Sequence, residues 1–121
     1  MKGKKILVVD DEGYICDLVV DFLAFENITG ITAEDFETAI GASGKNDIDL
    51  IISDVNIGNN RVEDFITSLR ERGIHIPVAL MTGDHRIDDR YSLQAGAVGV
   101  IHKPFQVVPF LTSIKKFLES T

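Results

Sequence analysis

The chain has 121 residues, of which 45% are hydrophobic and 26% charged, a balance typical of one soluble globular domain. Its formal net charge of −7 argues against nucleic acid as a direct partner, because phosphate binding needs a basic surface. Cys16 is the sole cysteine, so no internal disulfide can form, and no secretory or membrane-length apolar run is present. A cytoplasmic protein without membrane contact is therefore expected.

Strand and helix patterns alternate along the first half of the chain. Residues 6–9 form a short, β-branched apolar run, which predicts a strand buried on both faces. Residues 14–25 carry apolar side chains at helical spacing. A weaker strand is predicted at residues 28–32, and a helix follows at about residues 33–42. Gly41 and Gly44 leave the position of the end of this helix open.

The second half continues the alternation. Apolar runs predict three more strands, at residues 50–52, 76–81 and 98–101, and residues 55–60 predict a loop because they are rich in turn formers. Helices are expected at about residues 62–73, at about 87–95, and from Pro104 onward, since proline suits a first helical turn. Five strands and five helices in alternation predict an α/β fold with a doubly wound parallel sheet, in one domain covering residues 1–121.

Polar residues follow four of the apolar runs. They are Asp10 with Asp11, Asp54, Thr82 and Lys103. Ligands bind outside the carboxyl ends of parallel strands, so these side chains should converge at one edge of the sheet. Two carboxylates 4 Å apart repel by about 4 kcal/mol at an effective dielectric of about 20, which favours a bound cation such as Mg²⁺. A carboxylate can also accept a phosphoryl group, which an ammonium and a hydroxyl can bind.

Four segments together resemble the receiver domain of two-component response regulators. They are residues 8–12 (VVDDE), 49–56 (DLIISDVN), 82–83 (TG) and 96–105 (GAVGVIHKPF). Each is weak alone, but all four occur in order at predicted strand ends, and the resemblance covers essentially the whole chain. It implies a flavodoxin-like sheet with strand order 2-1-3-4-5.

The resemblance implies a phosphorylation-dependent signalling switch. Asp54 would accept a phosphoryl group from a histidine kinase, a histidine phosphotransfer protein or a small phosphodonor, and the domain would catalyse its own dephosphorylation. Lys103 would pair with the phosphoryl oxygens, and Thr82 would move to hydrogen-bond one of them.

The resemblance also implies a magnesium site at the same edge. Asp11, the carboxylate of Asp54 and the backbone carbonyl of Asn56 would bind Mg²⁺ directly, and Asp10 would act through a metal-bound water. Partners are expected to be the phosphodonor protein and a downstream target or a linked output domain that this chain does not include. Asp17, Val20 and Asp21 on the first helix are expected to face the kinase.

Some positions depart from the family pattern. Ile57 and Gly58 replace the usual Met-Pro after the acceptor, and Val62 stands where a glycine is usual. Val100 replaces the usual aromatic residue three positions before the lysine, and the segment 82–96 is one residue short. These atypical switch positions predict an unusual readout.

Two positions are expected to tune the lifetime of the phosphoryl group. Asn56 and Asp84, two residues beyond Asp54 and Thr82, flank the path of the attacking water in the family. An acid there can orient water, which predicts rapid phosphate loss. The alternative is that Asp84 is simply a solvated loop residue.

Several neighbouring polar residues are interpreted structurally. Glu12 is expected to mark a helix start and Asp49 a strand start, while Ser53 should point inward or cap. His102 has no partners at metal-ligand spacing, and Cys16 should be a small buried hydrophobe.

Two other functions compete with the switch. One is a receiver that only binds partners and is never phosphorylated, which the altered loop and missing aromatic favour and the complete acidic set opposes. The other is a flavin-binding or hydrolytic enzyme on the same fold. It lacks a glycine-rich phosphate loop after the first strand, and the acids there would repel a flavin phosphate.

Overall fold

The computed structural model describes residues 3–119, so residues 1–2 and 120–121 of the expected domain span lie outside the described residues. Its strands, in chain order, are β1 (Lys5–Val9), β2 (Thr29–Ala33), β3 (Leu50–Asp54), β4 (Asn56–Ile57), β5 (Asn60–Arg61), β6 (Val78–Thr82) and β7 (Val100–His102). Its helices are α1 (Gly13–Ala24), α2 (Phe36–Lys45), α3 (Val62–Glu71), α4 (Asp89–Ala95) and α5 (Val107–Glu119). No helix within residues 3–119 has the length and apolarity needed to cross a membrane.

Five parallel strands form the central sheet in the order β2-β1-β3-β6-β7. Numbered among these five alone, this is the predicted order 2-1-3-4-5, and the α/β fold with five accompanying helices is confirmed. The strand order reverses beside β1, so β1 and β3 lie side by side where a crevice opens in such sheets.

Two layers of apolar side chains cover the sheet. Because successive side chains of a strand point to opposite faces, Ile6 and Val8 pack with α1 and α5, whereas Leu7 and Val9 pack with α2 and α3. All four side chains are fully buried. The central strands are therefore apolar on both faces, which explains the continuous apolar runs in the sequence.

Two predicted helix starts are wrong. The second helix begins at Phe36, because Ala33 is still paired with Val9 in the sheet and the Asp35 side chain caps the helix by accepting the Thr38 N–H at 2.7 Å. It also continues through both glycines to Lys45. Pro104 does not open the last helix, which begins at Val107; the Lys103–Pro104 peptide bond is cis.

Residues 55–60 are not simply a loop. Asn56 pairs with Arg61 and Ile57 with Asn60, so β4 and β5 form a short antiparallel hairpin. Gly58 in the turn has a φ of 60°, in the left-handed region that glycine adopts without strain. The hairpin is a separate two-stranded sheet that directly follows the end of β3.

Candidate functional site

Strand register brings the predicted site residues to the carboxyl edge of the sheet. Val9 pairs with Ser53, Asp54 with Met81, and Thr82 with His102. Asp10, Asp54, Thr82 and Lys103 thus stand at the ends of adjacent strands, as the positions of the apolar runs predict.

Lys103 joins two of the carboxylates. Its Nζ lies 2.8 Å from Oδ2 of Asp10 and 3.5 Å from Oδ2 of Asp54. The Asp10 side chain is fully buried, whereas those of Lys103 and Asp54 are 16% and 17% exposed. Burial opposes the charged ammonium, but the hydrogen bond to Asp10 and the charges of Asp54 and Asp10 outweigh it and raise the pKa of Lys103.

The two carboxylates differ in their hydrogen bonds. Both oxygens of Asp10 accept from the protein: Oδ1 from the Glu12 N–H at 2.9 Å and Oδ2 from Lys103. In Asp54, Oδ1 accepts the Val55 N–H at 2.8 Å, and Oδ2 accepts a longer hydrogen bond from Lys103 at 3.5 Å. Burial raises the pKa of Asp54 above its ordinary value, although Lys103 acts in the opposite direction. The Asp54 side chain also lies partly open to solvent, whereas that of Asp10 does not.

Asp10, Asp11, Glu12 and Asp54 form an acidic cluster. One carboxylate oxygen of each lies within 4.8 Å of the others. Hard carboxylate oxygens at this separation suit a small divalent cation such as Mg²⁺. Glu12 joins the cluster as well as preceding α1, so reading it as a helix-start residue alone was incomplete; its adjacency to Asp10 and Asp11 was the available signal.

Thr82 ends β6 and is almost fully buried. Its Oγ1 accepts the Asp84 N–H at 3.0 Å, which leaves its own O–H available to donate. The Asp84 carboxylate accepts the backbone N–H and the guanidinium of Arg86, and these contacts lower the pKa of Asp84 to about 2. Asp84 is therefore an ionised loop residue with a defined orientation.

The residues interpreted structurally have identifiable partners. Asp49 accepts the Lys5 N–H at 2.8 Å, and the Ser53 hydroxyl donates to the Asp54 carbonyl at 2.9 Å. His102 Nε2 lies 2.7 Å from the Ile87 carbonyl, and its ring stacks on His85 at a centroid distance of 5.0 Å. Cys16 is 3% exposed, as expected of a buried hydrophobe.

The atypical switch positions lie in ordered surroundings. Ile57 is buried in the core beside α3, and Gly58 occupies the exposed hairpin turn. Val100 is partly buried and pairs with Leu80. Asn56 is exposed at the start of the hairpin, next to the acidic cluster.

A hydrogen-bonded link that the sequence does not predict lies outside the acidic cluster. The Tyr91 hydroxyl donates to Glu63 Oε2 at 3.0 Å, and Arg61 Nη2 donates to the same oxygen at 2.9 Å. The hydrogen bond with Tyr91 and the charge of Glu63 raise the pKa of Arg61. No sequence motif or residue spacing predicts this link, because its three residues belong to three different elements, β5, α3 and α4.

Sequence comparison identifies relatives of the whole chain. The family model of the response regulator receiver domain matches residues 6–115. The chain is 30% identical over 117 residues to the probable transcriptional regulatory protein TcrX of Mycobacterium tuberculosis, covering 96% of this chain and 50% of the relative. It is 32% identical over 112 residues to the regulatory protein VanR of Enterococcus faecium, covering 92% and 48%. The chain spans about half the length of the curated relatives it matches.

Solved structures agree in fold. The chemotaxis response regulator CheY4 of Vibrio cholerae matches with a TM-score of 0.84 and 26% identity, over 94% of this chain and 98% of that one. The receiver domain of NtrX from Brucella abortus matches with a TM-score of 0.84 and 27% identity, over 96% and 99%.

Proposed function

Because the chain belongs to the response regulator receiver family, we propose that it is a signalling switch in which Asp54 accepts a phosphoryl group. The observation that carries the proposal is the bridge that Lys103 makes between Asp10 and Asp54 inside the acidic cluster. It places a cation beside the one partly exposed carboxylate that ends a central strand.

The phosphoryl acceptor is Asp54 in this proposal. One of its carboxylate oxygens attacks the phosphorus of a phosphohistidine, forming an O–P bond as the P–N bond breaks. The imidazole leaves with the electron pair of the P–N bond, protonated at its other nitrogen. The raised pKa of Asp54 favours this role, since a more basic carboxylate is a better nucleophile.

Two side chains would hold the transferred group. Lys103 is already 3.5 Å from Asp54 Oδ2 and needs a small movement away from Asp10 to meet a phosphoryl oxygen. Thr82 would donate its hydroxyl hydrogen to another oxygen. Both contacts exist only after phosphorylation, so they favour whichever arrangement of the surrounding loops permits them.

Mg²⁺ fits the donor set. Asp11, Asp54 and the carbonyl of Asn56 would hold the ion directly, and Asp10 through water. Asp10 is fully buried and accepts two short hydrogen bonds, whereas Asp54 is partly exposed and its contact with Lys103 is 3.5 Å, and this difference supports an indirect role for Asp10. When bound, the ion offsets the negative charge that the phosphoryl group and the carboxylates bring together.

A histidine kinase or phosphotransfer protein is the proposed donor. A groove of about 480 Å³ runs beside the acidic cluster, lined by Glu12, Tyr14, Ile15, Leu18, Gly83, Lys103, Pro104 and Phe105. Tyr14 is 68% exposed and Leu18 is also exposed, so this part of α1 offers apolar surface to a partner helix. Asp17 and Asp21 are exposed on α1 as well, and Val20 is partly buried.

The proposed recipient of the signal is a downstream protein or a linked output domain. The relatives that match are about twice as long as this chain, and TcrX is described as a probable transcriptional regulatory protein. That description is consistent with a receiver that controls a downstream protein or a linked output domain by changing its own surface.

Acetyl phosphate with Mg²⁺ tests the proposal directly. Intact-mass spectrometry should show one added phosphoryl group in the wild type and none in Asp54→Ala. Asp49→Ala is the matched control, since Asp49 precedes the same strand at its opposite end and should leave labelling unchanged. An unlabelled wild type would favour the binding-only receiver, and a labelled Asp54→Ala protein would place the acceptor elsewhere.

A further inference from the structure

One oxygen of Glu63 connects two distant parts of the chain. Glu63 Oε2 accepts from Arg61 at 2.9 Å and from the Tyr91 hydroxyl at 3.0 Å. Arg61 belongs to the hairpin, Glu63 to the first turn of α3 and Tyr91 to α4. The three residues therefore form a continuous hydrogen-bonded chain, the Arg61–Glu63–Tyr91 link.

The first end of the link is connected to Asp54 through the hairpin. Arg61 pairs directly with Asn56 across the hairpin. The Val62 N–H donates to the Val55 carbonyl at 2.9 Å, and the Val55 N–H donates to Asp54 Oδ1 at 2.8 Å. Short backbone contacts thus connect Asp54 to Val62, the neighbour of Arg61, and Asn56 to Arg61 itself.

The second end of the link lies in α4, a short helix whose buried residue is Ser92. Tyr91 is in the first turn of α4, where its N–H donates to the Asp88 side chain at 2.9 Å, and its partly buried ring packs against the core. The helix has only seven residues and exposes Leu93. A short peripheral helix of this kind shifts more readily than the central strands.

The link also has an unsatisfied atom at its centre. Glu63 Oε1 is buried and has no hydrogen-bond partner within residues 3–119. A cavity of about 120 Å³ lies beside it, lined by Glu63, Tyr91, Gln94 and Ala95. A buried unpaired oxygen disfavours the present arrangement, and the cavity provides room for another. Glu63 thus has both an oxygen without a protein partner and space in which its side chain could take another orientation.

We propose that the Arg61–Glu63–Tyr91 link transmits loading of the Asp54 site to α4 by way of the hairpin. The inference rests on the proposed function, since it requires that the site be loaded. It goes further in naming the residues that carry the signal between the site and α4. Tyr91 acts here as a positioning residue, because it reaches the site only through Glu63 and Arg61.

Beryllofluoride with Mg²⁺, as a stand-in for the phosphoryl group, provides the test on the full chain. In the wild type, ¹H–¹⁵N spectra should show shifts both at the acidic cluster and at residues 89–95. In Tyr91→Phe the shifts around Asp54 should persist, while those at residues 89–95 fall below half of the wild-type values. The Tyr91→Phe protein should also bind beryllofluoride about threefold more tightly than the wild type, because binding no longer requires α4 to change its arrangement.

Arg61→Gln breaks the other end of the link and should reproduce both effects. The double variant should add little, because the two substitutions interrupt one path. Glu26→Gln is the matched control: it removes a surface ion pair with Lys115 of 2.9 Å and should respond like the wild type. Simple destabilisation would weaken binding rather than tighten it.

Two outcomes would overturn the inference, and they are distinguishable. A wild type that shows no response to Mg²⁺ and beryllofluoride contradicts the proposed function as well. A wild type that responds, together with a Tyr91→Phe protein whose α4 shifts match it, overturns the link alone.

Discussion

The ammonium of Lys103 lies closer to Asp10 than to Asp54, at 2.8 Å against 3.5 Å. These two contacts suggest two roles for Lys103 that can be tested separately. In the unloaded site it compensates the charge of a fully buried carboxylate, and in the proposed loaded site it meets the phosphoryl group.

Replacing Lys103 by Met should destabilise the metal-free protein by about 3 kcal/mol, because Asp10 is left as a buried charge without its cation. Mg²⁺ should restore part of the loss, since an ion in the acidic cluster supplies positive charge nearby. Urea denaturation with and without millimolar Mg²⁺ measures both effects. Lys115→Met, which breaks a surface pair with Glu26, is the control and should change stability by less than about 1 kcal/mol.

Asp11→Asn should have opposite effects with and without the ion. Asp11 is an exposed member of the acidic cluster, so removing its charge should stabilise the metal-free protein by about 0.5 kcal/mol. The same change should remove most of the stabilisation that Mg²⁺ provides, because a direct ligand is lost. Thermal unfolding across a Mg²⁺ titration checks this, and an unchanged Mg²⁺ dependence would exclude Asp11 as a ligand.

The Cys16 thiol should resist alkylation in the folded protein. Burial raises its pKa to about 11, and the charge of Asp10 acts in the same direction. Iodoacetamide at pH 8 should therefore label it quickly only in denaturant. Rapid labelling of the native protein would show that the thiol is accessible.

The same thiol makes a pH-dependent contribution to stability. Its folded pKa lies above the ordinary value of 9.0, so the contribution is fully present below about pH 9. The contribution is lost as the pH rises from 9 toward 11, because the thiol of the unfolded chain deprotonates at a lower pH than the thiol of the folded protein. Between pH 9 and pH 11, the urea-denaturation midpoint of Cys16→Ala should therefore change less with pH than that of the wild type.

Asp84→Lys should lengthen the lifetime of phosphoryl-Asp54 by about tenfold or more, since an acid that orients the attacking water is replaced. The contacts with Arg86 keep the Asp84 carboxylate ionised and oriented in the wild type. Loss of label after removal of acetyl phosphate measures the rate. Thr67→Lys, a new surface charge on α3, is the control, and equal rates for Asp84→Lys and the wild type would make Asp84 a solvated loop residue.

Much of the fold was predictable because β1, β3 and β6 are buried on both faces. Side chains such as Leu7, Ile51 and Leu80 must then be apolar without interruption, and the polar residues that follow mark the strand ends. The site could be predicted for the same reason, since the carboxyl ends of those strands share one edge.

Helix boundaries were less predictable, because at each end strand pairing and helix capping compete with the helix propensity of single residues. Ala33 is a good helix former, but its pairing with Val9 holds it in a strand, and Asp35 provides a better cap. Pro104 suits a first turn by its fixed φ, yet the helix begins three residues later. Glu63 and Tyr91 were missed because long-range contacts between side chains leave no periodic signal.

The β4–β5 hairpin shares no strand pairing with the five-stranded sheet. Its opening exposes Ile57 but breaks none of that sheet's ladder hydrogen bonds, so it should require less free energy than global unfolding. In native-state hydrogen exchange, the amides of residues 56–61 should exchange through a local opening that urea hardly accelerates. Those of β1 and β3 should exchange only when the whole domain unfolds. This exchange pattern would identify the segment beside Asp54 as a separate cooperative unit, which rearranges while the fold that carries it stays intact.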